Sequence, residues 1–228
     1  MRRLRGASPR RPGQLLLAVA IAIAAALAAG AATARPPSAA SGAKALPPPR
    51  FGHTLDIGLV SGTVIVTPPG RASFKLGVQD RNIPIGSLLD TTHGRIDLRA
   101  APLPGTAQTA RVQDAEFYKG KFRVRQPAGD QFTQVLLAGG DFSACGAVHS
   151  SAALPHRVIR LLGASGKGKF ATRGRYAAAT VRGTIWTTTD YCDGTLVSVQ
   201  KDVVSVRDLV HHKTVTVTAG HSYFVRAL

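Results

Sequence analysis

The chain has 228 residues, with 29 Lys and Arg against 12 Asp and Glu, and a formal net charge of +17. This length supplies one domain with a sizeable core, or two small ones. Such a charge in the cytosol would point to nucleic acid; the first segment of the chain points away from that compartment and excludes that partner.

Residues 1–14, "MRRLRGASPRRPGQ", carry five arginines and no acid, and thirteen apolar residues follow from Leu15 to Leu27. Ala32-Thr33-Ala34 then offers a small-x-small cleavage site before Arg35, which completes the pattern of a secretory signal peptide over residues 1–34 with a short signal helix. The competing reading is an uncleaved anchor, because the apolar stretch continues to Ala32. A span needs about 20 predominantly apolar residues, and over half of this stretch is Ala or Gly. Arg10-Arg11 suggests a twin-arginine route, although Pro12-Gly13-Gln14 continues it poorly. No cysteine lies near the cleavage point, so a lipid anchor there is excluded. The product is expected to be secreted or extracytoplasmic, in the cell envelope, and to meet a membrane only through an uncleaved leader.

Removing the five leader arginines leaves 24 basic residues against 12 acidic ones, scattered through every segment. Outside the membrane the polyanions on offer are wall polymers, acidic glycans and lipid headgroups. The alternative is a basic surface that only keeps the protein soluble. Residues 35–56 begin with "RPPSAASGAKALPPPR" and read as a Pro/Ala-rich tether.

Period-two alternation dominates from there. Ile96 and Leu98 alternate with Arg95, Asp97 and Arg99; Phe122 and Val124 alternate with Lys121, Arg123 and Arg125; Val215 and Val217 alternate with threonines. Each pattern predicts a half-buried antiparallel strand. Turn signals recur at "PPGR", "IPIGS", "TTHG", "CDG" and "TAGH". The predicted class is all-β, with antiparallel hairpins stacked as a β-sandwich or in a β-helix-like manner, burying Phe170, Trp186 and Phe224. Residues 101–106 read as a Pro-rich loop. Residues 145–169, rich in Gly, Ser and Lys, read as a flexible linker between a first β-rich half, 57–144, and a second, 170–228. "VSGTVIV" (60–66) echoes "VRGTIW" (181–186), and "GKF" at 120 recurs at 168, which suggests a repeat.

Four motifs invite chemistry. "GASGKGKF" (163–170) nearly spells a phosphate loop, but Phe170 stands where a Ser or Thr would hold magnesium, and no helix pattern follows; it reads as a flexible loop. "LPGTA" (103–107) resembles a wall-sorting signal without the hydrophobic segment and basic tail such signals need. Cys192, with His149 or His156 and Arg207, offers the residue types of a sortase-like cysteine transpeptidase, but Tyr191 stands where that family has Thr. "ACGAVHS" lacks the order of the L,D-transpeptidases. A catalytic thiolate must stay unpaired, whereas Cys145 and Cys192 form an even pair in a disulfide-permissive compartment. Their bridge would close a loop of roughly 48 residues and stabilise by about 4 kcal/mol in the chain-entropy account. His211 and His212 are adjacent and would face opposite sides of a strand, and no ligand spacing accompanies them. Catalytic, cofactor and metal residues are therefore all assigned as none, and no carboxylate pair suggests a glycosidase.

"IPIGSLLDTTHGRIDL" (83–98) and the run from Ala179 to Val225 together resemble the FecR-type extracytoplasmic β-domain. The carrying residues are Gly86 to Thr91, Arg182-Gly183-Thr184, Asp193-Gly194, Val204 to Val206 and Val215 to Gly220. The likeness is to stand-alone versions that carry a signal peptide. It implies a non-catalytic sensing or interaction module without cofactor; the partner expected is an envelope protein or, on the basic charge alone, an anionic wall polymer. It does not imply the family's signalling through a cytoplasmic N-terminal domain, since only 14 residues precede the apolar segment.

Overall fold

The computed structural model describes residues 46–104, 111–146 and 156–228. The segments expected as leader and tether, as far as residue 45, the end of the expected Pro-rich loop and His149 lie outside the described residues. Those that are described build thirteen strands in one hydrogen-bonded sheet. The first seven are β1 (Thr54–Thr67), β2 (Phe74–Lys75), β3 (Arg81–Pro84), β4 (Leu88–Ala100), β5 (Gln113–Tyr118), β6 (Lys121–Arg125) and β7 (Thr133–Ala138). After a 3-10 turn, Ser143–Cys145, come β8 (Val158–Arg173), β9 (Ala177–Tyr191), β10 (Gly194–Lys201), β11 (Val203–Asp208), β12 (Thr214–Thr218) and β13 (Ser222–Arg226). The alternation written in the sequence sets the faces. In β6 Phe122 and Val124 are buried while Lys121, Arg123 and Arg125 are exposed, as a strand with one wet side requires.

The sheet closes on itself. β1 runs along one whole edge of β4, while the other edge of β4 is divided, its first residues pairing with β6 and its last with β5. β5 pairs with β8 and β6 with β7. The ring is completed where Thr133–Leu136 of β7 meet Phe170–Arg173 of β8 in parallel. Every other pairing in the sheet is antiparallel. Closure removes strand edges and encloses Phe117, Phe122 and Phe170, each with no exposed surface. Phe117 lies between the other two, at centroid distances of 4.9 and 5.7 Å. A buried polar cluster seals one end. The amides of Gln113 and Gln126 both donate to Ala101 O and Thr133 Oγ1, over 3.0–3.3 Å. Their oxygens accept from the backbone N–H of Lys169 and Gly52.

The topology is duplicated. β9 repeats the division seen in β4: β8 lines one edge, and β11 and β10 share the other. β11 pairs with β12 as β6 does with β7, and β10 with β13 as β5 does with β8. The bends β5–β6 and β10–β11 each use a non-glycine residue at positive φ, Lys119 at 65° and Asp202 at 58°. The sequence echoes fall out of register with this duplication, because "VSGT" lies in β1 and "VRGT" in β9. What those two share is local: Gly62 and Gly183 both take positive φ, 73° and 81°, inside long strands whose register shifts nearby.

Several expectations are corrected. Residues 158–169 are strand, not linker, and the phosphate-loop-like run lies within β8. The small residues there serve close packing. A Cβ on Gly166 would lie 2.3 Å from Ala115 Cβ, and one on Gly163 2.4 Å from the Tyr118 ring. The two halves are consequently hydrogen-bonded through β5–β8 and β7–β8. "TTHG" is no turn but the middle of β4, where Gly94 faces Gly62 and a Cβ would meet Thr63 O at 2.7 Å. The first strand opens at Thr54, inside the stretch read as tether. Trp186 is fully buried as expected, but Phe224 is only half-buried.

Gly166→Ala should cost about 1–3 kcal/mol through overpacking, whereas Gly77→Ala, with open space around the position, should stay within about 0.5 kcal/mol. Urea melts of the two variants compare them; equal losses would contradict close packing at β8.

Candidate functional site

The sulfur chemistry is settled by position. Cys145 ends the 3-10 turn, Cys192 follows β9, and the two are bonded with Cα atoms 5.3 Å apart. No free cysteine exists in the chain, so Cys192 has no thiolate to offer. His156 stands beside it, with Nδ1 3.0 Å from both carboxylate oxygens of Asp193 and its ring stacked 4.2 Å over Tyr191. Arg207 pairs with Ala178 at the opposite end of β9, and is not brought to the cysteine.

The same corner holds a carboxylate that the sequence reading passed over. Asp190 is wholly buried and pairs with Arg160 Nε at 2.7 Å. It also accepts from Arg175 N at 2.9 and 3.1 Å and from Thr195 Oγ1 at 2.5 Å. Arg160 lies near the open end of the β8–β9 hairpin and Arg175 in its turn, so the hairpin curls until its tip meets its base, and Asp190 pins the two. Three donors, one of them shared between both oxygens, compensate a charge that would otherwise be costly to bury. Arg160 and Arg175 both lie over Phe142, at 5.1 and 4.6 Å from the ring centroid.

A second buried carboxylate, Asp208, organises the β11–β12 turn. It accepts from Val210 N, His211 N, His211 Nδ1 and Tyr223 Oη, at 2.8–3.0 Å. Burial alone would raise its pKa, but the donors from His211, Tyr223 and Val210 outweigh that and hold it at about 2. His211 is thereby fastened as a turn residue, and among the described residues no group of three or more His, Cys, Asp or Glu is placed to hold a metal ion.

Two neighbouring concavities lie elsewhere, beside an irregularity in β8. Between Gly166↔Thr184 and Lys169↔Arg182, two residues of β8, Lys167 and Gly168, oppose the single Gly183 of β9. One strand away, the β9–β10 register also slips between Val199 and Lys201. Bulges of this kind bend strands and redirect side chains. They open a groove of about 600 Å³ walled by Asp97, Asp114 and Glu116 on one side and by Thr184, Lys201 and Asp202 on the other. Asp97 and Glu116 are directly paired across strands. Burial pushes the Asp97 carboxyl up, and the nearby Asp114, Asp80 and Glu116 add to this against the pull of Arg99. A slot of about 370 Å³ adjoins the groove, lined by Pro102, Leu103, Val112, Gly168, Lys169 and the side of Gln113. Arg111, Asp114 and Lys167 line both spaces, so the two are neighbours.

No protein family, curated protein or solved structure matches the chain.

Of the groove residues, the sequence marks Asp97 as the wet side of a strand, Gly183 and Thr184 through the echo and the FecR-type resemblance, and Lys167 within a failed phosphate loop, none of them as a contact site. The signal present was the alternation Lys167-Gly168-Lys169-Phe170, which has strand period. Arg111 and Lys201 carried no signal, since they reach the groove only through long-range pairing.

Replacing both cysteines by serine should remove about 3–4 kcal/mol of stability and lower the melting temperature by roughly 10 °C; an unchanged melt in calorimetry would contradict the bridge. For Asp208 the folded pKa lies below its ordinary 3.8, so its contribution is complete above that value and is lost as pH falls toward about 2. Asp208→Asn should flatten the acid side of the stability curve in that window, measured by urea melts at stepped pH; a parallel curve would contradict the assignment.

Proposed function

We propose that the chain is an exported, disulfide-stapled β-module of the cell envelope that binds or senses a partner and performs no chemistry of its own. The groove beside the β8 bulge is its contact site. The observation that carries this reading is the groove itself, an open concavity beside the β8 bulge whose charged lining, Arg111, Lys167 and Lys201 with Asp97, Asp114, Glu116 and Asp202, leaves the three cations outside any ion pair among the described residues. The bonded cysteines support the same reading, since they remove the one nucleophile the sequence offered. The likeness to FecR-type β-domains supplies the expectation of a sensing or interaction role.

A second reading, that the partner is an anionic wall polymer or glycan, is favoured by how the charges are spent. Asp80, Asp90, Asp97, Glu116 and Asp190 hold Arg99, Lys121, Arg95 and Arg160, and Asp193 and Asp208 hold histidines. The remaining Lys and Arg whose side chains are described have no carboxylate within ion-pair distance, and their field is free to act on a polyanion.

Binding of the mature domain to soluble poly(glycerol phosphate) should weaken tenfold or more between 50 and 200 mM salt, roughly as counterion release demands. Lys167→Glu with Lys201→Glu should weaken it further than Arg71→Glu, which lies outside the groove. Salt-insensitive binding, or equal effects of the groove and control variants, would contradict the reading.

A further inference from the structure

We infer that the slot beside the groove is a binding site for a single-chain anionic amphiphile, an acyl chain ending in a carboxylate. The inference rests on the reading of the groove as a contact site and names what its narrow end takes.

The slot is apolar along its length and positive at its mouth. Pro102, Leu103 and Val112 supply the walls, at about 370 Å³ in all, within the usual size range of small-ligand sites. Leu103 is nearly buried, at 5% exposure, while Val112 stands 39% exposed at the rim. Gln113 is the one amide in the lining, and it is fully engaged. Its nitrogen donates to Ala101 O and Thr133 Oγ1, and its oxygen accepts from Lys169 N. A sugar or peptide entering the slot would lose its hydrogen bonds to water and find none in return from that amide, which makes burial of polar groups there costly. A hydrocarbon chain incurs no such loss and gains about 0.8 kcal/mol for each buried methylene.

The sign of the head follows from the cations. Arg111, Lys167 and Lys169 line the slot against one carboxylate, Asp114, and none of the three cations is held in an ion pair among the described residues. Lys167 and Lys169 lie two apart on β8, so strand alternation turns both to one face, and both line the slot. Arg111 and Lys167 stand where slot and groove join. A carboxylate placed at that junction meets two cationic donors, Arg111 and Lys167, against the one carboxylate of Asp114, while its chain runs toward Pro102 and Val112. A cationic amphiphile would meet two like charges against one opposite charge at the same point. The concavity takes one chain end-on and so selects a monomer, not the plane of a bilayer.

Isothermal titration of laurate, below its micelle concentration, into the mature full domain tests this. One-to-one saturation is expected, with octanoate at least tenfold weaker and dodecyltrimethylammonium not bound. Val112→Arg, and separately Lys167→Glu with Lys169→Glu, should each weaken laurate tenfold or more; these positions are exposed, and an unaltered melt of each variant checks the fold. Absence of laurate binding while poly(glycerol phosphate) still binds through Lys167 and Lys201 would overturn the slot assignment and leave the groove reading standing. Absence of both would overturn both. Binding only to phosphatidylglycerol vesicles, unaffected by Val112→Arg, would also overturn the slot assignment.

Discussion

A buried carboxylate holds the curl on which the molecule is built. Long antiparallel hairpins lie open unless something fastens their tips, and Asp190 does so by joining Arg160, Arg175 and Thr195 around one charge. Remove its partners and the charge would be stranded in a region of no solvent access, at a cost of several kcal/mol. The disulfide, Phe142 and the stacked His156–Tyr191 pair gather at the same corner, so covalent, ionic and aromatic contacts reinforce a single joint. In the first half of the duplicated topology the corresponding task falls to neutral groups, with Gln113, Gln126 and Thr133 tying strand ends together around Ala101 O.

The curl explains where the groove appears. A strand that borders β5 and then β7 must change direction between them, and β8 does so over Lys167-Gly168 by a bulge. The bulge leaves a step in the sheet surface, and the side chains on either side of the step line the groove. Closure and site therefore share one cause. Of the acids that line the groove, Asp97 and Glu116 are engaged with Arg99 and Arg95, while Asp114 and Asp202 stand with Arg111, Lys167 and Lys201 outside any ion pair among the described residues.

How much of this was legible in the sequence follows from what each residue type signals. Alternating strands such as Lys121–Arg125 and Thr214–Thr218 were readable because one face is wet and one dry. The cysteine pair was readable because compartment and count both constrain sulfur. β8 was not. Gly163, Ala164, Gly166 and Gly168 look like a linker, since small residues serve equally for chain freedom and for close approach. Only the partner decides between the two, and here the partners are Tyr118 and Ala115, some fifty residues upstream in sequence. "TTHG" misled for the same reason, its glycine being there to pass Gly62 of β1. Asp190 carried no mark at all, because its three partners come from Arg160, Arg175 and Thr195 only after the hairpin has curled.

Native-state hydrogen exchange across β8 measures the closure directly. The parallel contact of Phe170–Arg173 with Thr133–Leu136 should give these amides protection close to that of the neighbouring β9, reaching the free energy of global unfolding. Exchange through residues 158–173 at the rate of an unstructured chain would show that the sheet does not close, and the joint, the step and the groove would go with it.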